Sequence, residues 1–302
     1  MLLIPWFKLE PWRIALPFGT VKVQPFGVLA ALAMLVGAHF AQRRARELRL
    51  PDEVMGEFLT RTTFYGLIAA YLLNIAMYSP EEVWAIAREP SLLFTRWYGL
   101  SSYGGFIGGA LAAVWFARRR RLSLLALGDA WCFAFPFAWV FARLGCFSVH
   151  DHPGVASTFF LAVDDYDHSG IARHDLGLYE ALASVPLAVC FWLRSHRRQA
   201  TVSYLALVLC YYGPVRFALD FLRATASDGG DIRYLGLTPA QYLSLALACA
   251  GARLALRLRN AWAPPPPSAA HAGGASARVT HWLRSSAGRG GSDGTGSGPD
   301  GY

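Results

Sequence analysis

The sequence predicts an all-α, polytopic membrane protein with seven transmembrane helices, its N-terminus outside and its C-terminus cytoplasmic. Three observations carry that prediction. Of 302 residues, 54% are hydrophobic and only 16% charged, and the mean hydropathy is +0.31, outside the usual range of soluble chains. The apolar residues gather into runs of roughly 20, the length that crosses about 30 Å of hydrocarbon as a helix. Clusters of arginine follow every second run, the asymmetry that orients a chain in a bilayer.

The runs span 25–41, 57–78, 98–117, 122–147, 177–193, 203–223 and 237–256. Arg43, Arg44, Arg46 and Arg49 follow the first, and Arg118 to Arg121 follow the third. Arg194, Arg197 and Arg198 follow the fifth, and Arg253, Arg257 and Arg259 close the seventh. The opposite loops are acidic or mixed: Glu81 and Glu82, the aspartates between 151 and 175, then Asp228 and Asp231. The N-terminal MLLIPWFKLEPW lacks a basic start, an apolar run and a small-residue cleavage site, so the first span is expected to stay in the mature chain. Residues 1–260 form the membrane domain in this reading. The Pro-, Gly- and Ser-rich stretch 261–302 has too little apolar surface to order itself and reads as a disordered cytoplasmic tail.

The net charge of +8 sits at the ends of apolar runs, where anionic head groups meet it, so nucleic acid is not the expected partner. Cys132, Cys146, Cys190, Cys210 and Cys249 lie in or beside apolar segments without metal-ligand spacing. Neither a disulfide framework nor a zinc site is indicated, and no cofactor is expected. Two related halves, common in transporters, are not evident.

Ionisable groups inside spans cost about 2.5–3.5 kcal/mol each at mid-bilayer, so each needs a reason. Arg143 stands one turn before the end of the fourth span. Asp129 lies about 21 Å earlier along the same helix and cannot pair with it. Arg143 therefore either snorkels to the head groups or meets an anionic group such as a lipid phosphate. In YYGPVRFALDFLRA, Arg216, Asp220 and Arg223 share one face at i, i+4 and i+7. One aspartate cannot neutralise two arginines, which leaves one for an anionic ligand. In SSYGGFIGGA, Gly104 and Gly105 begin two GxxxG patterns that allow close helix approach, with Tyr103 at interface depth. His150, Asp151, His152, Asp164, Asp165, Asp167 and His168 read as solvated loop residues, because their spacing is not diagnostic of a metal. Asp129 is expected to cap or pair locally.

The ordered set of motifs resembles the prolipoprotein diacylglyceryl transferase family of the bacterial inner membrane over residues 20–258. The matching pieces are Gly104-Gly105, the ARRRR run after the third span, Asp129 with Pro136, and ARLG with Arg143. Gly154, RHxxxLYE from Arg173 to Glu180, and YGxxRFxxDFxR with Arg216 complete the set. The resemblance implies transfer of a diacylglyceryl group from phosphatidylglycerol to the lipobox cysteine thiol of a lipoprotein precursor peptide, with glycerol phosphate leaving at the outer leaflet. A departing phosphate needs fixed positive charge near the outer head groups, which Arg143 and Arg216 are placed to supply, and Arg223 joins them in the substrate-binding set. Gly104, Gly105, Cys146, Asp151, Gly154, Glu180 and Asp220 complete the substrate-binding set.

The departures concern the acid–base side. Tyr103 stands where the family has histidine, and its ordinary pKa near 10 suits it poorly as a base at neutral pH. Cys146 and Val149 replace asparagines, Asp151 replaces a glutamate, Phe26 stands where tyrosine is usual, and Tyr71 lies near the place of an arginine. A thiol needs a base to become a thiolate, and His150, His152 and His174 are the candidates for a relocated one. Two alternatives stand beside this reading. One is a divergent paralogue transferring another head group, with Cys146 as nucleophile. The other is a phospholipid binder without catalysis.

Overall fold

The computed structural model describes residues 3–17, 19–96, 98–195, 204–228 and 230–261. The expected tail beyond residue 261 lies outside the described residues. Each of the seven apolar runs is helical: α1 (Pro25–Glu47) and α2 (Asp52–Tyr78) come first. Two short helices, α3 (Pro80–Arg88) and α4 (Leu92–Thr95), lead to α5 (Ser102–Arg120) and α6 (Leu124–Val149). α7 (Leu176–Ser195), α8 (Tyr204–Leu219) and α9 (Pro239–Ala261) follow. Among the described residues, four helices are long and apolar enough to cross a membrane: α1, α6, α7 and α8 with its 3₁₀ extension to Leu222. The other three are more polar. α2 carries Asp52, Glu53, Glu57 and Arg61, α5 ends in Arg118–Arg120, and α9 carries Arg253, Arg257 and Arg259.

Two small antiparallel ribbons among the described residues lie outside the all-α expectation. β1 (Trp12–Leu16) pairs with β2 (Gly19–Val23), Trp12 opposite Val23. β3 (Pro153–Ala156) pairs with β4 (Arg173–Asp175), Pro153 opposite Asp175. The second ribbon ties the loop after α6 to the start of α7, which holds the ends of those two helices together.

α6 is the centre of the packing, touching α1, α5, α7 and α8, while α2 lies on α5 and α8 on α9. One apolar cluster joins Leu127, Ala130 and Ala134 of α6 to Ala41, Met55 and Phe116. Another joins Phe133 and Phe135 to Phe191, Tyr204 and Tyr212. Outward-facing apolar side chains such as Leu35, Leu111 and Leu193 are more than 60% exposed, as a lipid-facing surface requires. The small-residue pattern of α5 works as the sequence suggests. A Cβ on Gly104 would lie 2.4 Å from the Ala69 carbonyl oxygen, and one on Gly108 2.2 Å from the Ala69 Cβ.

Two expectations are corrected by burial. Asp129 does not act locally: it pairs with Arg44 of α1 at 2.9 Å and accepts the backbone N–H groups of Tyr204 and Leu205 at the start of α8. α1 runs past residue 41 and carries Arg44 inward, 3% exposed, with its guanidinium 4.9 Å over the Tyr204 ring. One arginine of the cluster after the first span thus ties three helices together.

Candidate active site

Three helices bring their ionisable residues to one place. Arg143 of α6 lies with Nε 3.0 Å from Glu180 Oε2 of α7, and Arg216 of α8 donates from Nη1 to Glu180 Oε1 at 2.9 Å. Tyr212, one turn before Arg216, donates its hydroxyl to Glu180 Oε2 at 3.0 Å. Arg216 also pairs with Asp220 at 3.1 Å, and Arg223 with Asp220 at 2.9 Å and Asp231 at 3.3 Å. Thr238 closes the far side by donating to Asp220.

This arrangement corrects the expectation that one arginine of Arg216 and Arg223 lacks a carboxylate. Each has one, and Arg143 also has a carboxylate within the protein, Glu180. The balance is still uneven in depth. Three guanidiniums are at most 11% exposed, whereas only Glu180 and Asp220 are comparably buried, and Asp231 sits at the rim. Arg143 Nε–H, although close to Glu180, is not aimed at it and has no hydrogen-bond acceptor. A buried donor in that state calls for an acceptor from elsewhere. Arg143 stacks 4.5 Å from the Trp139 ring and donates from Nη1 to Cys146 Sγ at 3.6 Å. A cleft with about 20 Å³ of free space, roughly one water, opens between Arg143, Arg216, Tyr212, Ser102 and Ser244.

Two glycines make the cluster possible. A Cβ on Gly177 would lie 2.9 Å from the Phe147 nitrogen and 3.1 Å from the Cys146 Cβ, so α7 could not lie as closely on α6. A Cβ on Gly154 would lie 2.6 Å from the His174 Cβ and 2.7 Å from the Leu222 oxygen. Gly154 bridges to Arg223 through its backbone and so holds that arginine's chain in place. Gly104 and Gly105 have a different part. Their amides are taken by Ser101 at the start of α5, and Gly104 is pressed against α2. Tyr103 lies in the first turn of α5, and its side chain is outside the described residues.

The three candidate bases separate. His150 is not a solvated loop residue: it ends α6, its side chain is fully buried, and Nδ1 lies 2.7 Å from Asp175. Trp6 stacks on its ring at 4.4 Å, and Tyr166 donates to its carbonyl. Asp175 is likewise fully buried. His174 lies 2.7 Å from the Tyr179 hydroxyl, and burial lowers its pKa. His152 shares the arginines' surroundings. Removal from water, then Arg143, Arg223 and Arg216, push it down to about 3, with Glu180 opposing. Asp151 keeps 42% of its side chain accessible, yet the protein on its inner side raises its pKa, with Arg143 opposing and Asp175 adding to the rise.

Ligand atoms of Cys146, Asp151 and His152 lie within 4.8 Å of one another. The donor types suit a soft cation, but Arg143 touches the sulfur and the positive charges of Arg143, Arg223 and Arg216 act on His152, so fixed positive charge opposes a cation there. The described geometry favours an anion. Tyr212, Asp231 and Thr238 escaped the sequence reading. Tyr212 was within reach of it, since Tyr212, Arg216 and Asp220 repeat at i, i+4 and i+8 on one helix face.

The family model described as prolipoprotein diacylglyceryl transferase matches residues 13–257 of the chain. A protein of Chromohalobacter salexigens named phosphatidylglycerol–prolipoprotein diacylglyceryl transferase is 29% identical over 252 residues, covering 82% of this chain and 92% of its own length. Proteins of the same name from Pseudomonas putida and Pseudomonas fluorescens are each 28% identical over 257 residues. They cover 82% of this chain and 94% and 93% of their own lengths, respectively.

Proposed function

Because the chain belongs to the prolipoprotein diacylglyceryl transferase family, we propose that it transfers the diacylglyceryl group of phosphatidylglycerol to the cysteine thiol of a lipoprotein precursor. The observation that carries this reading is the convergence of Arg143 and Arg216 on Glu180, with one Arg143 donor lacking an acceptor. In the transfer, the peptide thiolate attacks the glyceryl carbon and forms a carbon–sulfur bond. The carbon–oxygen bond to the phosphate breaks, and its electron pair leaves with glycerol phosphate. Charge grows on the phosphate oxygens as that bond lengthens. Arginines already fixed by carboxylates stabilise it without reorganising at the moment of reaction.

The thiol proton goes to a base, and we assign it to His152. Its imidazole is neutral at physiological pH and lies beside Cys146 and Asp151. The positive field that makes it a weak base weakens when an anionic lipid occupies the arginines, so substrate binding itself raises its basicity. His150 is enclosed by aromatic rings and held by Asp175, which suits a structural part. Cys146 does not serve as a covalent relay here. A diacylglyceryl thioether on its sulfur would have no good leaving group for the second step.

The narrow cleft implies that helices part to admit lipid. α8 and α9 pack closely along Gly213 and Gly251, where a Cβ would lie within 3.0 Å of the neighbouring helix, and Gln241 of α9 donates to the Phe217 carbonyl of α8 across that seam. Seven spans with the N-terminus outside put Arg143 and Arg216 at the outer leaflet of the bacterial inner membrane, where a lipobox peptide emerges.

Membranes containing the protein, phosphatidylglycerol and a lipobox peptide test the proposal. Glycerol phosphate release with a matching mass gain on the cysteine is expected. Bound phosphatidylglycerol without product, lost on Arg143→Ala, would instead leave lipid binding alone.

A further inference from the structure

We propose a second anion site at the other end of the helices, a pocket between α2 and α5 that takes the phosphate head group of an acidic phospholipid. It lies far from the cleft described above: α6 rises about 28 Å between Leu124, beside the end of α5, and Arg143. The proposal does not depend on the transferase reading.

The pocket has a volume of about 510 Å³, within the range of small-molecule sites, and is lined by Arg61, Trp115, Phe116, Arg119 and Arg120. Its floor is Phe116, 1% exposed. Arg61 of α2 lies 5.4 Å over the Trp115 ring and 5.9 Å from Phe116, while Arg119 lies 6.0 Å from Trp115. The rings thus hold two guanidiniums at the pocket wall. Glu57 is the carboxylate paired with this group, bonded to Arg61 at 2.6 Å and to Arg120 at 2.5 Å. Arg119 has no carboxylate partner among the described residues. Three positive charges against one negative leave two facing the cavity.

Such a surplus could serve a free phosphate or a lipid. The surroundings favour the lipid. Phe64, Leu67 and Leu111 are 51–66% exposed on the helices that form the pocket, and Trp115 is 44% exposed at its edge. Acyl chains along that surface would bring a phosphate to the arginines. Basic pockets between membrane helices bind anionic head groups in this way.

The test uses the full chain in detergent, with adducts of dioleoyl phosphatidic acid counted by native mass spectrometry. Phosphatidylcholine and inorganic phosphate serve as competing probes. Arg61→Gln with Arg119→Gln should weaken the adduct about tenfold or more, since each basic residue near a lipid phosphate contributes several-fold. Glu57→Gln should tighten it, the opposite of what a merely damaged fold would do. Unchanged binding in the double variant, or weaker binding in Glu57→Gln, would overturn the proposal. Equal binding of phosphatidylcholine, or displacement by inorganic phosphate at matched concentration, would overturn its lipid assignment. An unchanged thermal midpoint in the double variant is the expected control, because exposed ion pairs of this kind stabilise little.

Discussion

Arg143 of α6 and Glu180 of α7 face each other at 3.0 Å, each no more than 4% exposed, so each is the other's reason for being ionised away from water. Glu180 also carries Arg216. Removing the carboxylate should therefore be worse than removing either arginine. Glu180→Gln leaves two buried guanidiniums short of a partner, and a loss of about 3–5 kcal/mol is expected, read as a fall in thermal midpoint. The double variant Arg143→Met with Glu180→Leu should regain much of that stability yet show no glycerol phosphate release. Recovery of turnover in the double variant would refute the role given to the arginine.

His152 gives a prediction in pH. Its folded value of about 3 lies below the ordinary value of about 6.5 in an unfolded chain. Between those values the unfolded chain holds a proton that the folded chain lacks, so stability is full above about pH 6.5 and falls as pH drops toward 3. His152→Gln should flatten that fall, seen by comparing thermal midpoints of variant and parent at pH 7.5 and 5. If His152 is also the base, the same variant should lose at least about 10²-fold in turnover at neutral pH. A flattened stability profile with full turnover would return the base to another residue.

Gly154→Ala tests whether the loop positions Arg223. The new methyl group would meet His174 and Leu222 at under 3 Å and push the two chains apart. Overpacking of this kind destabilises by about 1–3 kcal/mol. Turnover at saturating lipid should fall further than the thermal midpoint predicts, because Arg223 is bridged to Gly154 through the backbone and moves with it. Equal, small effects on both would make Gly154 a packing residue only.

Gly104 and Gly105 should differ although they are neighbours. Gly104→Ala drives a methyl group into the Ala69 and Ala70 backbone, whereas Gly105→Ala meets only the Ala70 Cβ at 3.9 Å. The first variant should lose about 1–3 kcal/mol and the second almost nothing, measured as thermal midpoints. Comparable losses would mean that the α2–α5 contact differs from the one described here.

Each apolar run read from periodicity and composition overlaps a long helix among the described residues, four of them long and apolar enough to cross a membrane, because a run of about 20 apolar residues has few other stable arrangements. Helix spacing likewise groups Arg216, Asp220 and Arg223, and the three do pair, although α8 ends at Leu219, Asp220 begins a 3₁₀ turn and Arg223 is in extended backbone. The same local reading left Arg143 without a partner, since Asp129 was too far along the helix and nothing in sequence brings Glu180, 37 positions away, to it. It also reads His150 as wet, because a run of histidines and aspartates between spans resembles any other polar loop.

By itself, then, the sequence determined the helical, membrane-type character of the chain, the motifs that mark its family, and the faces on which charges repeat. These follow from forces acting within one helix or between helix and solvent. Only the tertiary structure decided which charges neutralise one another, which histidine shares space with the arginines, and that Arg44 and Asp129 join α1, α6 and α8. Those outcomes depend on how closely helices approach. That in turn rests on the absence of a Cβ at Gly104, Gly154 and Gly177, whose consequence appears only when a second element is packed against them.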